Sequence, residues 1–322
     1  MIKKYYLICD YREKFKNRSQ NDCYSYKSVQ QITYSLAELG YDCTYFGGTK
    51  ELIEAIHTDN YDKDGIYLNF NDGINTVSKR GQTPMLLEMM GVKYSGSSPL
   101  THLAVSDKYF TNKFLAEKIK DLTVPRNILI KNKKDLSSLI NYPVILKPNN
   151  EGSSLGIYED SICRNFNDVA TQFNKLKPFG DILLQEFISG YELTDYFIRS
   201  KSNKILFNEL LLISKDGSAV MDNKIFTYED KINHKREYFT PINYITSKEI
   251  NKIKRVTENI AYELDILTIG RIDYRFLNGN LYFIEANTVP AFSKTSDIGE
   301  ICKIYGLRYE DILKLLIESL NQ

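Results

Sequence analysis

The chain has 322 residues, carries a formal net charge of +1, and is 43% hydrophobic and 26% charged. That length supplies cores for two or three soluble domains, and the near-neutral balance excludes a broad basic surface for nucleic acid or membrane, so an anionic ligand must be held locally. No apolar run approaches the roughly 20 residues of a bilayer span, while three histidines without zinc-ligand spacing and five scattered cysteines without a leader pattern argue against zinc and for a reducing cytoplasm.

Residues 2–9 read as a strand, followed by a polar loop over 10–26. Val29, Ile32, Leu36 and Leu39 then recur at helical spacing up to Gly40, where a C-terminal cap belongs. Strands at 41–46 and 65–70 enclose a short helix at 52–57. This strand–helix–strand alternation predicts an open parallel α/β sheet that binds ligands beyond the carboxyl ends of its strands. The loops at 10–26 and 69–82 are therefore candidate substrate contacts. A helix at 84–90 ends at Gly91, Gly96-Ser97-Ser98-Pro99 breaks the chain, and a domain boundary falls near Leu100.

Beyond it the pattern predicts a helix over 106–119 and strands at 127–130, 144–147 and 156–158. The last two flank a Gly/Ser-rich loop that lacks the Gly-Lys-Ser/Thr ending and the following helix of a P-loop. The N–H groups of Gly152, Ser153 and Ser154, with two hydroxyls, still suit phosphate oxygens, and a plain hairpin turn is the alternative. An apolar strand at 181–188 ends at Ser189-Gly190, and strands follow at 192–199 and 205–212. Two readings stand here: an adenine slotted against Phe187 and Ile188 with backbone near Glu186 reading its edge, or a buried strand with nothing to bind. Residues 224–241 are polar and long, as in a mobile flap. Thr246 and Glu249 form a capping box for a helix whose stripe of Ile250, Ile253, Val256, Ile260 and Leu264 leaves the basic run 248–255 as a solvated face.

Two β-patterned runs, 269–276 and 281–287, flank Asn278-Gly279, and a final helix spans 309–319. The second run is expected to turn Tyr282, Ile284 and Ala286 into a core and to present Glu285 and Asn287 on its other face. Register decides whether Asp273 joins them. A two-residue turn sets Asp273 opposite Ile284; a three-residue loop over 278–280 sets it opposite Glu285, and Arg271 opposite Asn287. The longer loop is the expected register, because it gathers two carboxylates, a carboxamide and a guanidinium on one surface. Crowded carboxylates need a cation between them, and Mg²⁺ suits hard oxygen ligands completed by phosphate and water. A solvated acidic patch paired to Arg271 is the alternative.

Four motifs in this order resemble the ATP-grasp superfamily, and within it the D-alanine–D-alanine ligase family, over roughly residues 65–320. They are Ser106-Asp107-Lys108, Lys147-Pro148 through Glu151-Gly152-Ser153-Ser154-Leu155-Gly156, Gln185-Glu186-Phe187-Ile188-x-Gly190-x-Glu192, and Arg271-Ile272-Asp273 with Glu285-Ala286-Asn287-Thr288-x-Pro290. The resemblance implies an α/β fold in three parts: a Rossmann-like N-terminal domain (1–100), then two α+β subdomains (101–188 and 189–322) whose antiparallel sheets clamp ATP. It implies ATP and one or two Mg²⁺, or Mn²⁺, as cofactors. The reaction it implies is ATP-dependent joining of a carboxylate to an amine, between amino-acid or peptide-like substrates, through an acyl phosphate that releases ADP and phosphate. A homodimer is common in the family, and neither nucleic acid nor membrane is an implied partner.

By matching position, the resemblance gives Lys108 and Lys147 to the α/β-phosphates, Lys231 to the γ-phosphate, and Ser153 and Ser154 to the phosphate loop. Gln185, Glu186, Phe187, Ile188 and Phe283 become nucleotide contacts, and Glu192 accepts from the ribose hydroxyls. Asp273, Glu285 and Asn287 are the implied metal ligands. Arg271 is placed to stabilise the oxyanion of the tetrahedral intermediate, acting with Lys231 and Ser153, and Ser153 and Ser296 lie near substrate carboxylates. Four departures concern the amino-acid pockets. Cys9-Asp10-Tyr11-Arg12-Glu13 stands where the family has Gly-Gly-x-Ser-x-Glu, Asn69-Phe70-Asn71-Asp72-Gly73 replaces a His-Gly segment, Ile232 replaces an aromatic, and Ala291 a glycine. Asn71, Asp72 and Arg80 are the candidates for lining the altered pocket. The reading is a ligase for substrates other than two D-alanines; the alternatives are an authentic D-alanine–D-alanine ligase and a non-catalytic nucleotide-binding regulator.

Overall fold

The computed structural model describes residues 3–14, 24–74, 77–137, 141–233 and 235–321. Residues 15–23, the middle of the expected 10–26 loop, lie outside the described residues. The first hundred residues run β1 (Lys4–Ile8), α1 (Tyr26–Glu38), β2 (Asp42–Gly47), α2 (Thr49–Thr58), β3 (Ile66–Asn69), α3 (Lys79–Met90) and β4 (Lys93–Tyr94). Their strands form a parallel sheet in the order β2-β1-β3-β4. Ser25 caps α1 by accepting from the Ser28 amide, so that Val29, Ile32 and Leu36 face inward against Leu7 and Leu68. Ile8, Leu52, Tyr67 and Leu87 fill the opposite face of the sheet. Both faces are covered, as a parallel sheet requires.

The helix expected over 106–119 is present from Lys108 to Lys118, and an unexpected helix precedes it. Pro99 opens α4 (Pro99–Ser106), capped by Ser98, and α5 (Lys108–Lys118) follows after a break at Asp107. Asp107 has extended backbone, and its carboxylate accepts from the Phe110 amide as the cap of α5. The break aims the start of α5, and with it Lys108, at the next sheet. That sheet comprises β5 (Asn127–Ile130), β6 (Val144–Pro148), β7 (Ile162–Cys163) and β8 (Ile182–Glu186), antiparallel in the order β5-β8-β6-β7. The helix α6 (Phe166–Leu176) packs Val169, Phe173 and Leu176 onto Leu146 and Leu184. No strand forms at 156–158. The chain instead turns through Ser153 and Ser154, both left-handed with φ of 53° and 57°, before β7 pairs with β6.

A five-stranded antiparallel sheet completes the molecule, ordered β11-β10-β9-β12-β13. It is built from β9 (Tyr191–Arg199), β10 (Ile205–Lys215), β11 (Arg236–Phe239), β12 (Thr268–Leu277) and β13 (Asn280–Asn287). The expected flap at 224–241 is more regular than its polarity suggests. It contains α7 (Tyr228–Ile232), closed by a Thr227–Asp230 capping box, and the edge strand β11. The helix α8 (Ser247–Glu263) lays Ile253, Val256 and Ile260 against Leu193, Ile272 and Tyr274 on one face of the sheet. Helices α9 (Asp297–Tyr305) and α10 (Tyr309–Ser319) cover part of the other face, where Tyr196, Leu211, Ile301 and Leu313 share a core with β1, β3 and α1. That shared core locks the parallel sheet beside the five-stranded one.

The β12–β13 hairpin corrects the expected loop. Leu277 pairs with Asn280 around a two-residue turn, with φ of 51° at Asn278 and 78° at Gly279, the signature of a type I′ turn. The turn alone would place Asp273 opposite Ile284. A β-bulge between Asp273 and Tyr274 shifts the register, so that Tyr274 pairs with Phe283 while Asp273 pairs with Glu285 and Arg271 with Asn287. The extra residue is Ile284. It also splits the expected apolar face: Ala286 is buried as expected, with Glu285 and Asn287 opposite it, but before the bulge Leu281 and Phe283 enter the core in place of Tyr282 and Ile284. Phe283, expected among the nucleotide contacts, therefore points into that core.

Candidate active site

Alternation along β12 sends Ile272, Tyr274 and Phe276 into the core, which turns Arg271, Asp273 and Arg275 toward the central cavity. Arg271 donates from Nη2 to Asp273 at 2.7 Å, lies 3.7 Å from Glu285, and reaches Asp297 with Nη1 at 3.4 Å. Thr194 donates to the other oxygen of Asp273 at 2.6 Å. Burial pushes the Asp273 carboxyl up, against the pull of Arg271. Burial opposes the charge of Glu285 too, yet Lys108, Lys231, Arg271 and Lys147 outweigh it and hold that carboxyl far below its usual range. The difference is one of neighbours: Asp273 has one close cation and a like charge across the ladder, whereas Glu285 is ringed by cations.

Asp273, Glu285 and Asn287 thus offer oxygens from one face of the hairpin, and the Asn287 amide nitrogen is buried without a hydrogen-bond partner among the described residues. Among the described residues no group of three or more His, Cys, Asp or Glu could hold a metal. Two carboxylates and a carboxamide are all-oxygen, the donor set of a hard divalent ion whose shell other oxygens complete.

Lysines converge from separate elements. Lys108, at the first turn of α5, donates to the Glu151 carbonyl and lies 3.8 Å from Glu285. Lys147 comes from β6 and is buried; burial, followed by the charge of Lys108, lowers its ammonium to about 8. Lys231, on α7, is brought to about 8 by burial and then by Arg236. The loop after β6 is held by Asn149, which accepts from the Tyr109 amide at 2.9 Å and donates to Asp107 at 2.8 Å. Ser154 lines the cavity. Ser153 is half-buried in the same turn and does not.

The cavity continues between the two antiparallel sheets over an apolar stretch of Ile145, Phe187, Ile188, Phe226 and Ile284. At its rim Gln185 is buried, with its amide nitrogen unpartnered among the described residues, and Glu186 sits beside it. Arg275 binds Glu192 at 2.8 Å, fixing that carboxylate at the cavity wall. Ile145, Ile284, Arg236 and Arg275 were missed by sequence reasoning. Arg275 was findable, since it shares the period-two face of Arg271 and Asp273; Ile284 was not, because the bulge that turns it has no sequence signal.

The residues expected in the altered pocket separate. Arg80 pairs with Asp72 at 3.3 Å and lines a small cavity with Gly152, Lys108, Glu285 and Asn287. A Cβ on Gly152 would lie 3.0 Å from the Arg80 guanidinium, so glycine gives that side chain its room. Asn71 does not join them. Its oxygen accepts from the Asp10 amide at 2.9 Å and its nitrogen donates to Thr49 and Thr83 at 2.8 and 2.9 Å, so the whole amide ties the ends of β1 and β3 to α2 and α3. Ser296 accepts from the Ser293 amide and donates to the Ala291 and Ser293 carbonyls; it lines another cavity, of about 460 Å³, next to Lys231 and Arg236.

Two antiparallel sheets that face each other across this cationic cavity, set beside a parallel sheet, define an ATP-grasp enzyme, an ATP-dependent carboxylate–amine ligase. A family model described as D-ala D-ala ligase C-terminus matches residues 120–318, and the chain belongs to that family. D-alanine–D-alanine ligases from Thermotoga petrophila and Petrotoga mobilis are 26% and 27% identical to it over 297 residues, covering 92% of this chain and of each relative. Among solved structures, the D-alanine–D-alanine ligase from Bacillus anthracis complexed with ATP superposes with a TM-score of 0.75 at 17% identity, covering 99% of this chain and 97% of that one. The VanG D-Ala:D-Ser ligase from Enterococcus faecalis gives 0.74 at 16%, covering 99% and 100%. Membership implies use of ATP and a divalent metal ion, and small amino-acid substrates. Among the described residues no helix is long and apolar enough to cross a membrane.

Asn71→Ala should lower the unfolding free energy by about 1–3 kcal/mol, the cost of leaving buried partners unsatisfied. Urea denaturation checks this, and nucleotide affinity at saturating Mg²⁺ should stay within about twofold of wild type, as a structural clamp requires.

Proposed function

We propose that the cavity between the sheets holds ATP, with its phosphates at Lys108, Lys147, Lys231 and Ser154 and its base over Ile145, Phe187, Ile188 and Ile284. Gln185 and the backbone at Glu186 read the base, and Glu192 accepts from the ribose. Asp273, Glu285 and Asn287 hold one or two Mg²⁺. When bound, the ion supplies charge neutralisation on the phosphates and lowers the barrier to their transfer.

The chain's own residues then direct two displacements. A substrate carboxylate attacks the γ-phosphorus in line, ADP leaves, and an acyl phosphate forms while Lys147 and Lys231 balance the migrating charge. The amine of a second substrate next attacks the acyl carbon. The acyl carbonyl oxygen gains the electron pair and is met by Arg271; as the pair returns, the C–O bond to phosphate breaks, and inorganic phosphate leaves with the proton that the amine gives up as the amide forms. Arg271 is already held by Asp273 and Asp297, so its guanidinium needs no reorganisation during the step.

The observation that carries this reading is the bulge at Ile284, which sets Asp273 and Glu285 face to face where Lys108, Lys231 and Arg271 converge. Substrates other than a pair of D-alanines are favoured by the altered first pocket, where Arg80 and Asp72 form an ion pair. D-alanine on both sides is the second reading, favoured by relatives of that name that align with 92% of this chain.

Phosphate release stimulated by single amino acids and by pairs, with mass detection of products, tests the function. D-alanine alone stimulates release under the second reading and an acid–amine pair under the first; no stimulation by any amino acid sinks both. Glu285→Gln should fold normally by circular dichroism and lose turnover by about 100-fold or more, because a charge that faces the phosphates is gone. Substantial turnover at ordinary Mg²⁺ would remove Glu285 from the metal site.

The lowered ammonium of Lys147 gives a pH test. The free protein keeps this lysine charged below about 8 and loses the charge above it, whereas phosphate binding requires the charged form. ATP affinity, measured by titration calorimetry with Mg²⁺, should therefore fall by about tenfold between pH 7 and 9 for each phosphate-contacting lysine with this titration. Lys147→Arg, which stays charged throughout, should flatten part of that fall.

A further inference from the structure

Lys231, the lysine given to the γ-phosphate, reaches the cavity from α7, a helix of five residues. A helix that short is not stable by its own hydrogen bonds, so the place of Lys231 depends on what anchors α7. The anchor is its neighbour in the chain, Asp230. Lys215, the last residue of β10, is buried and directs the three protons of its ammonium to Asp230 at 2.6 Å, Glu159 at 2.8 Å and the Ile225 carbonyl at 3.0 Å.

These partners come from different places. Ile225 lies in the segment that leads into α7, and Glu159 opens a short helical turn, Glu159–Ser161, in the subdomain of the other antiparallel sheet. One ammonium therefore ties the five-stranded sheet, α7 and the neighbouring subdomain at a single point. The Tyr228 amide adds a bond of 3.3 Å to the Ile157 carbonyl, and Met221 and Phe226 pack on Ile213, which shares a face of β10 with Lys215. The two carboxylates are not equal. Glu159 is 73% exposed, where an ion pair contributes little. Asp230 is 3% exposed and also accepts from the Thr227 amide and hydroxyl at 3.0 and 2.9 Å, so removing Lys215 leaves a buried charge without its closest cation. Burial opposes both charges of this pair, and the pairing outweighs it: the Lys215 ammonium is raised, the Asp230 carboxyl is lowered to about 2, and both stay charged through the neutral range.

We propose that Lys215 is a positioning residue of the ligase: it latches Asp230, and through Asp230 it holds Lys231 over the γ-phosphate. Consecutive residues of a helix stand about 100° apart, so with Asp230 turned to Lys215 its neighbour is turned to the cavity. Lys215 does not line that cavity and acts through α7. Without it, the closed position of α7 loses population to open ones. The inference rests on the nucleotide reading above and adds the group that keeps one of its phosphate lysines in place.

Titration calorimetry with Mg²⁺ on the full chain compares β,γ-imido-ATP, which carries a γ-phosphate, with ADP, which does not. Lys215→Met should weaken binding of the imido analogue by about tenfold, the effect of leaving α7 in place one tenth of the time, and keep ADP within about twofold of wild type. Lys215→Arg supplies a cation able to bond both carboxylates and should recover part of the loss. Asp230→Asn keeps the shape of the side chain and should show the same selective loss, so the latch is decided even where Lys215→Met does not fold. Because Lys215 acts through Lys231, adding Lys215→Met to Lys231→Met should weaken the imido analogue by less than about twofold more. No binding of either nucleotide to wild type overturns the nucleotide reading itself, and full analogue affinity in Lys231→Met takes Lys231 off the γ-phosphate. With both intact, three results overturn the latch alone: unchanged affinity in Lys215→Met, equal losses for the two nucleotides, or additive losses in the double variant.

Discussion

Asp273 and Glu285 are paired across adjacent strands, both largely removed from water, and two like charges in that position repel. Everything else in the site answers that repulsion. Arg271 bonds the first carboxylate and approaches the second, Lys108 reaches the second from another subdomain, and Lys147 and Lys231 add charge from two further elements. Because these cations arrive from β12, α5, β6 and α7, the electrostatic balance of the pair also ties the two antiparallel sheets together. A site built this way is incomplete with either antiparallel sheet alone.

The lysines show the other side of that balance. Lys147 and Lys231 sit among so many cations, and so far from water, that holding their charge is costly in the free protein. A polyanion arriving between them removes the cost. The crowding is strongest where Lys108, Lys147 and Lys231 lie nearest Glu285.

Away from the lysines the wall changes character. One end is apolar, through Ile145, Phe187 and Ile284, and the neighbouring cavity is polar, through Thr295, Ser296 and Asp297. Arg236 and Lys231 stand at the junction. Asp297, at the first turn of α9, approaches both Arg271 and Arg236, so one carboxylate links the two guanidinium groups.

The sequence by itself determined the parallel first sheet, the α8 stripe, the Thr246–Glu249 cap and the hairpin at Asn278-Gly279, because periodicity and capping are local and survive any packing. It also determined which residue types meet, since motif order located Lys108, Lys147, Asp273 and Glu285. Tertiary structure decided how they meet. The turn has two residues rather than three, and the opposition of Asp273 to Glu285 comes from a bulge that answers packing against β9 and the core below; nothing in the local pattern announces an unpaired Ile284. The same bulge put Phe283 rather than Ile284 in the core while leaving Ala286 where it was expected. Asn71 was lost to the scaffold for a similar reason, since its partners Asp10, Thr49 and Thr83 lie on three other segments. Arg236 and Asp297 carry no motif, and only the folding of β11 against α9 brings them into one site.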